Sequence, residues 1–275
     1  MSDDASDTFA FETEDGLLAY RDTGAGRPVV LLHGAFSDHT LWDDQVPGLA
    51  RRYRVIAPDA RGHGGSANAG RPFRQTDDLA ALLRHLDVGP AVLVGLSMGS
   101  IVAVDTALEH PELVHALLLS GGGLPVPTFH TPWAVDVQAA QNRALAAGDI
   151  AGWIEGFTLW AAGPQRTIDD VRPDVVRRLR EMAGRTLAKH TAAEPDHRVP
   201  VPDTAARAKE ITVPVLVVNG ALDLPEIATM TDRFVRTVTD GRSATIEDTA
   251  HYPGLERPDA FNRILDGFLR TVYAE

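Results

Sequence analysis

Five short apolar runs, each ending in a glycine or a polar turn, limit the fold of this chain more than any other feature. They are "VVLLHG" (Val29–Gly34), "YRVIAPD" (Tyr53–Asp59), "AVLVGLS" (Ala91–Ser97), "ALLLSGG" (Ala116–Gly122) and "VPVLVVNG" (Val213–Gly220). A run with no polar alternation reads as a strand buried on both faces, the mark of a parallel sheet. Parallel neighbours need crossover connections. Helical patterns stand in the gaps, around Leu41–Arg51, Gln75–Leu86, Ser100–Glu109 and Glu226–Val238, with a last one from Pro258 to Tyr273. The alternation predicts an α/β domain with helices on both faces of a mostly parallel sheet. Before it, "TFAFET" and "GLLAYRDTG" flank Glu14-Asp15 and read as an edge hairpin.

The rhythm breaks once. From Leu124 to Lys209 no strand-like run occurs, while helices are predicted at Val135–Ala147, Ile150–Trp160 and Pro173–Ala188. Glu194–Asp203 (EPDHRVPVPD) is polar and proline-rich, a returning loop. The expected organisation is a core of residues 1–123 and 210–275 with a helical cap, 124–209, inserted between two strands. Three of the four tryptophans, Trp133, Trp153 and Trp160, fall in that insertion, with Phe129 and Phe157.

"VLVGLSMGSIV" runs from a buried strand straight into a helix. Gly95-Leu96-Ser97-Met98-Gly99 fits G-x-S-x-G, whose meaning depends on a strand entering and a helix leaving. The two glycines leave room for a strained turn that lifts the Ser97 hydroxyl above the sheet edge. A serine is a poor nucleophile without a base, and a histidine base needs an acid to hold its tautomer. "VPVLVVNGALD" offers Asp223 after a later strand. "IEDTAHYPGLERP" offers His251 near the end, after a short strand around Arg242–Glu247. Asp248, three residues before His251, is a rival for the acid.

With these residues in place the chain resembles the α/β-hydrolase superfamily from about Phe9 to Tyr273. "LLHGAFSDHTLW" resembles the oxyanion-loop segment and "PDARGHGGS" the turn after the next strand. "GLSMGS" resembles the nucleophile elbow, "VNGALD" the acid turn and "AHYPGLERP" the histidine loop. The elbow and the "DARGHGGS" turn are similar to the serine esterase, enol-lactonase and cofactor-free haloperoxidase branch. Ser100 departs from it, standing where that branch often has glycine. The resemblance implies Ser97 as nucleophile, His251 as general base and Asp223 as orienting carboxylate. It also implies an oxyanion hole from the Ala35 and Met98 amides. A serine at 97 disfavours the aspartate-dependent dehalogenase and epoxide hydrolase reactions of the same fold.

Substrate contact is expected at Phe36, Trp133, Trp153, Phe157, Trp160 and Tyr252, beside the Met98 side chain, although the aromatic residues of the insertion also suit a core of their own. The function implied is hydrolysis of a small-molecule carboxylic ester or lactone through an acyl-enzyme. Carbon–carbon bond hydrolysis and perhydrolysis need the same triad, and a receptor-like binder needs only the pocket. No cofactor is called for. With no cysteine and no H-x-x-x-H spacing a metal site is not expected. The net charge of −12 disfavours nucleic acid as a partner. No run reaches the roughly 18 apolar residues of a membrane span. The polar opening MSDDASDTF does not match a secretory leader, which points to a cytoplasmic protein; either a monomer or a homodimer is compatible with the sequence.

Overall fold

The computed structural model describes residues 8–125, 128–191 and 194–274; the acidic opening stretch to Asp7 lies outside them. The chain begins with a hairpin of β1 (Thr8–Thr13) and β2 (Gly16–Gly24), turned at Glu14-Asp15. The apolar runs follow as β3 (Arg27–Leu32), β4 (Tyr53–Pro58), β5 (Ala91–Leu96), β6 (Val114–Ser120) and β7 (Val215–Gly220), and β8 (Gly241–Ile246) closes the far edge. Between them lie α1 (Val46–Leu49), α2 (Gln75–His85) and α3 (Met98–Glu109). The excursion between β6 and β7 carries α4 (Pro132–Ala146), α5 (Ile150–Ala162), α6 (Pro173–Leu187) and α7 (Thr204–Arg207). Then come α8 (Pro225–Thr237), α9 (Pro253–Glu256) and α10 (Pro258–Tyr273).

The spatial order is β1-β2-β4-β3-β5-β6-β7-β8. β2 pairs antiparallel with β1 and β4, and all five other pairings are parallel. Side chains alternate across the sheet, and both faces are covered. Val29, Leu31, Val92, Val94, Leu118 and Val218 face one buried cluster, shared with α10 and with α5 and α6 of the excursion. Val30, Leu32, Leu93, Leu117, Leu119 and Val217 face the other, against α2, α3 and α8. This is why the strand sequences lack polar alternation.

One predicted helix comes out differently. Leu41–Arg51 is a 3₁₀ turn at His39–Trp42 followed by the single turn α1, whose second residue is Pro47. Pro47 has no N–H to continue a preceding helix, so the chain restarts there. Ser97 lies between β5 and α3, and Asp223 and His251 follow the ends of β7 and β8. All three therefore sit past the C-terminal ends of parallel strands, where open α/β sheets form their crevices.

Candidate active site

Ser97 joins β5 to α3 with φ 51° and ψ −110°, in the left-handed half of backbone space that L-residues avoid. Its N–H donates to the Ser120 carbonyl at 2.8 Å, which ties the turn to β6. The flanking glycines are forced by contact. A methyl group on Gly95 would lie 2.5 Å from the Gly99 backbone, and one on Gly99 2.1 Å from the Leu32 carbonyl oxygen. The Ser100 hydroxyl lies 2.8 Å from the Gly95 carbonyl and 2.9 Å from that of Ser120, and accepts the Ser120 N–H at 3.1 Å. Where the resembling branch has glycine, this chain has a polar stitch between turn and strand.

His251 is 7% exposed, and its Nδ1 lies 3.0 Å from Asp223 Oδ2. The other Asp223 oxygen accepts the Leu224 N–H at 2.8 Å, which fixes the carboxylate at the start of α8. Burial opposes a charged imidazole here, but the Asp223 charge and hydrogen bond outweigh it and hold the His251 pKa above the usual histidine value. Asp248 is exposed and pairs with Arg257 at 3.3 Å. Asp223, not Asp248, is thus the carboxylate on His251.

Ser97 and His251 face one cavity of about 310 Å³. Among the described residues no hydrogen bond joins the Ser97 hydroxyl to the ring; such pairs often tighten only around substrate. Phe36, Trp153, Phe157, Trp160 and Tyr252 line the cavity. Trp153 and Phe157 stack at 5.6 Å, and the Phe36 ring sits 4.4 Å from Trp153. Trp133 does not line it. Its ring packs edge-on against Trp160 at 5.7 Å, in a small cluster with Ala134 and Ile227, so it backs the wall and does not face the space.

A second cavity, about 380 Å³, also reaches the serine. The two share Ala35, Ser97 and Ile101. Met98 lines the second, together with Arg74, Thr76, Asp105 and Arg198. Burial pushes the Asp105 carboxyl up to about 6, against the hydroxyl of Thr204 that donates to it at 2.6 Å.

Neither the Ala35 N–H nor the Met98 N–H donates to another group among the described residues. Phe36, the next residue, holds φ 55°. The His33 ring pins the base of this loop, accepting the Ala60 N–H at 2.9 Å through Nε2 while Nδ1 lies 2.8 Å from the Gly34 carbonyl. Burial lowers the His33 pKa, so the ring stays neutral and structural.

Several lining residues escaped the sequence reading, among them Gly121, Gly122, Gln138, Gln141, Ile227 and Met230. Gly121 has a sequence signal. "SGGG" at the end of β6 holds Gly121 at φ 61°, and a methyl there would stand 2.7 Å from the His251 ring. The glutamines and Met230 lie on amphipathic helices and carry no such mark.

A strained serine between strand and helix, facing a buried Asp–His pair across the strand ends of a mostly parallel sheet, defines an α/β hydrolase. The chain belongs to the alpha/beta hydrolase family, whose model matches residues 29–264. It is 31% identical to pimeloyl-(acyl-carrier protein) methyl ester esterase of Aeromonas hydrophila, covering 90% of this chain and 96% of that protein. It is 25% identical to 3-oxoadipate enol-lactonase 2 of Acinetobacter baylyi, over 94% of each. Among solved structures, a thermophilic esterase from Thermogutta terrifontis superposes with a TM-score of 0.77 at 26% identity, over 97% of this chain and 99% of that one. These relatives fall in the esterase and enol-lactonase branch that the elbow and turn motifs resemble.

Proposed function

We propose that this protein is a serine hydrolase of small-molecule carboxylic esters or lactones. Ser97 attacks the carbonyl carbon while His251, oriented by Asp223, takes its proton. The oxyanion is held by the Ala35 and Met98 amides, next to the positive end of α3. As the carbonyl re-forms, the bond to the leaving oxygen breaks and His251 returns the proton to it. Water, deprotonated by the same ring, then frees the acid from Ser97. Residues 124–209 act as a cap that walls the site with Trp153, Phe157 and Trp160.

One observation carries the reading: the buried Asp223–His251 pair opens onto the same cavity as a serine kept in an unfavourable backbone conformation. Strain of order 1–3 kcal/mol persists where surrounding structure enforces it, and such sites are commonly functional. Labelling with a serine-directed phosphonate tests it. One equivalent should add to the native chain and none to Ser97→Ala, while p-nitrophenyl acetate turnover falls by several orders of magnitude. Labelling that persists in Ser97→Ala would end the assignment.

A further inference from the structure

The two cavities meet at Ser97 but differ in character. The first is walled by aromatic rings and contains His251. The second has a polar far end, and His251 does not line it. An ester's leaving oxygen must receive its proton from the general acid, so the leaving group has to lie on the His251 side. The acyl chain leaves the carbonyl carbon in the other direction, towards the second cavity.

Two polar groups that line the second cavity keep unused hydrogen-bonding capacity. Thr76 is 2% exposed, and its hydroxyl has no hydrogen-bond partner among the described residues. Asp105 is 9% exposed; Oδ1 accepts from Thr204, while no described group donates to Oδ2. A buried hydroxyl is rarely left unpaired in a native protein, and the second Asp105 oxygen can accept from a donor that enters the cavity. The cations nearby are already committed. Arg74 pairs with Glu109 at 3.1 Å and Arg198 with Asp196 at 2.6 Å. The cavity therefore offers hydrogen-bonding sites without a free positive charge, which suits a neutral hydroxyl or amide and not a second carboxylate.

We propose that the cavity containing Thr76 and Asp105 is an acyl subsite, and that the substrate is an open-chain ester with a neutral hydroxyl- or amide-bearing acyl group and an apolar or aromatic alcohol. The inference rests on the hydrolase reading above and narrows it. A small lactone, whose acyl and alkoxy halves form one ring, does not fill two cavities of about 310 and 380 Å³ that meet at the serine. In the reaction the acyl–oxygen bond of the ester breaks, the Ser97 ester forms and is hydrolysed by water, and the free alcohol and hydroxy acid depart.

Benzyl 3-hydroxybutyrate, benzyl butyrate and methyl 3-hydroxybutyrate separate the two halves. The native protein should favour the hydroxyacyl over the plain benzyl ester about tenfold in kcat/KM, the effect of one or two buried hydrogen bonds. Asp105→Asn keeps an acceptor for Thr204 but presents a donor in place of Oδ2, and Thr76→Val removes the unpaired hydroxyl at nearly constant volume. Each should bring that ratio towards one. Trp160→Leu should instead lower the benzyl-over-methyl ratio. An acyl ratio unchanged in both Asp105→Asn and Thr76→Val, or one that follows Trp160→Leu, overturns the subsite while Ser97-dependent turnover of p-nitrophenyl acetate still stands. Absence of that turnover in the native chain overturns the hydrolase reading, and the subsite with it.

Discussion

Asp223 holds His251 through one oxygen and is itself held by the Leu224 N–H through the other. Replacing it with asparagine keeps the shape and loses the charge. Since that charge is what keeps the His251 pKa raised against burial, Asp223→Asn should let the pKa fall. The base works as neutral imidazole, so the native kcat/KM should decline as the pH drops through a value above ordinary histidine, and the variant's decline should lie at lower pH. At neutral pH kcat should fall about 10³- to 10⁴-fold. An acid limb that stays in place, measured across a pH–rate profile, would contradict the role given to the carboxylate.

Gly121 gives a second residue-scale outcome. Alanine there must adopt φ 61° and place its methyl 2.7 Å from the His251 ring. Gly121→Ala should therefore slow phosphonate labelling of Ser97 at least tenfold, with a stability cost of only about 1–2 kcal/mol for the backbone. Equal labelling rates would show that the ring has room to yield. At this scale the motifs singled out Ser97 and His251, and the structure brings both to one cavity. The sequence marked Ser100 as a departure without indicating its bonds, and it was silent at Lys189, whose partners lie 125 and 123 residues away. Lys189, one of only two lysines, holds the Gly64 and Ser66 carbonyls at 3.0 and 2.8 Å, a contact no local pattern announces.

At the scale of elements, the histidine loop is held from two sides. Buried Glu256, at the end of α9, accepts the Ala250 N–H at 2.9 Å and pairs with Arg166 at 2.8 Å. Arg166 follows α5 and donates to the Ala161 and Ala162 carbonyls at its end and to the Asp248 carbonyl. One guanidinium thus ties the excursion to the segment that carries His251. Arg166→Met would leave Glu256 buried without its cation, a loss of about 3–5 kcal/mol. Burial already raises the Glu256 pKa, and removing Arg166 raises it further. A carboxyl that binds its proton more tightly folded than unfolded stabilises the fold as pH falls. The variant should thus regain stability relative to the native chain as the pH is lowered from neutral towards the ordinary glutamate range. Denaturant midpoints at two pH values measure it; a deficit that does not shrink in acid would mean Glu256 is not the cause. Element types were legible because burial on two faces and helical spacing leave distinct patterns. The pairings of Arg166 and Glu256, 90 residues apart, leave none.

For the whole molecule, the question is whether the excursion between β6 and β7 is an independent unit. Trp153, Phe157, Val175, Leu179 and Met182 belong to the same buried cluster as Val29, Leu31 and Leu118 of the sheet. Five large apolar side chains at about 1.5–3 kcal/mol each amount to about 10 kcal/mol, comparable with the whole stability of an ordinary domain. Of the charged contacts across the same boundary, Arg178 with Asp44 is partly exposed and contributes about 0–1 kcal/mol, whereas Arg185 with buried Asp38 and Arg166 with buried Glu256 are only weakly screened by salt. Apolar contact is expected to outweigh the exposed ion pair, so that the excursion opens together with the shared core. Thermal unfolding followed by tryptophan fluorescence, weighted to Trp133, Trp153 and Trp160, should therefore coincide with unfolding followed by far-ultraviolet circular dichroism, which reports helices throughout the chain. Salt near 1 M, where the screening length is about 3 Å, should leave the two curves together. A fluorescence midpoint that comes first, or separates on adding salt, would mean that the insertion melts alone and that ion pairs, not the shared core, keep it closed over Ser97.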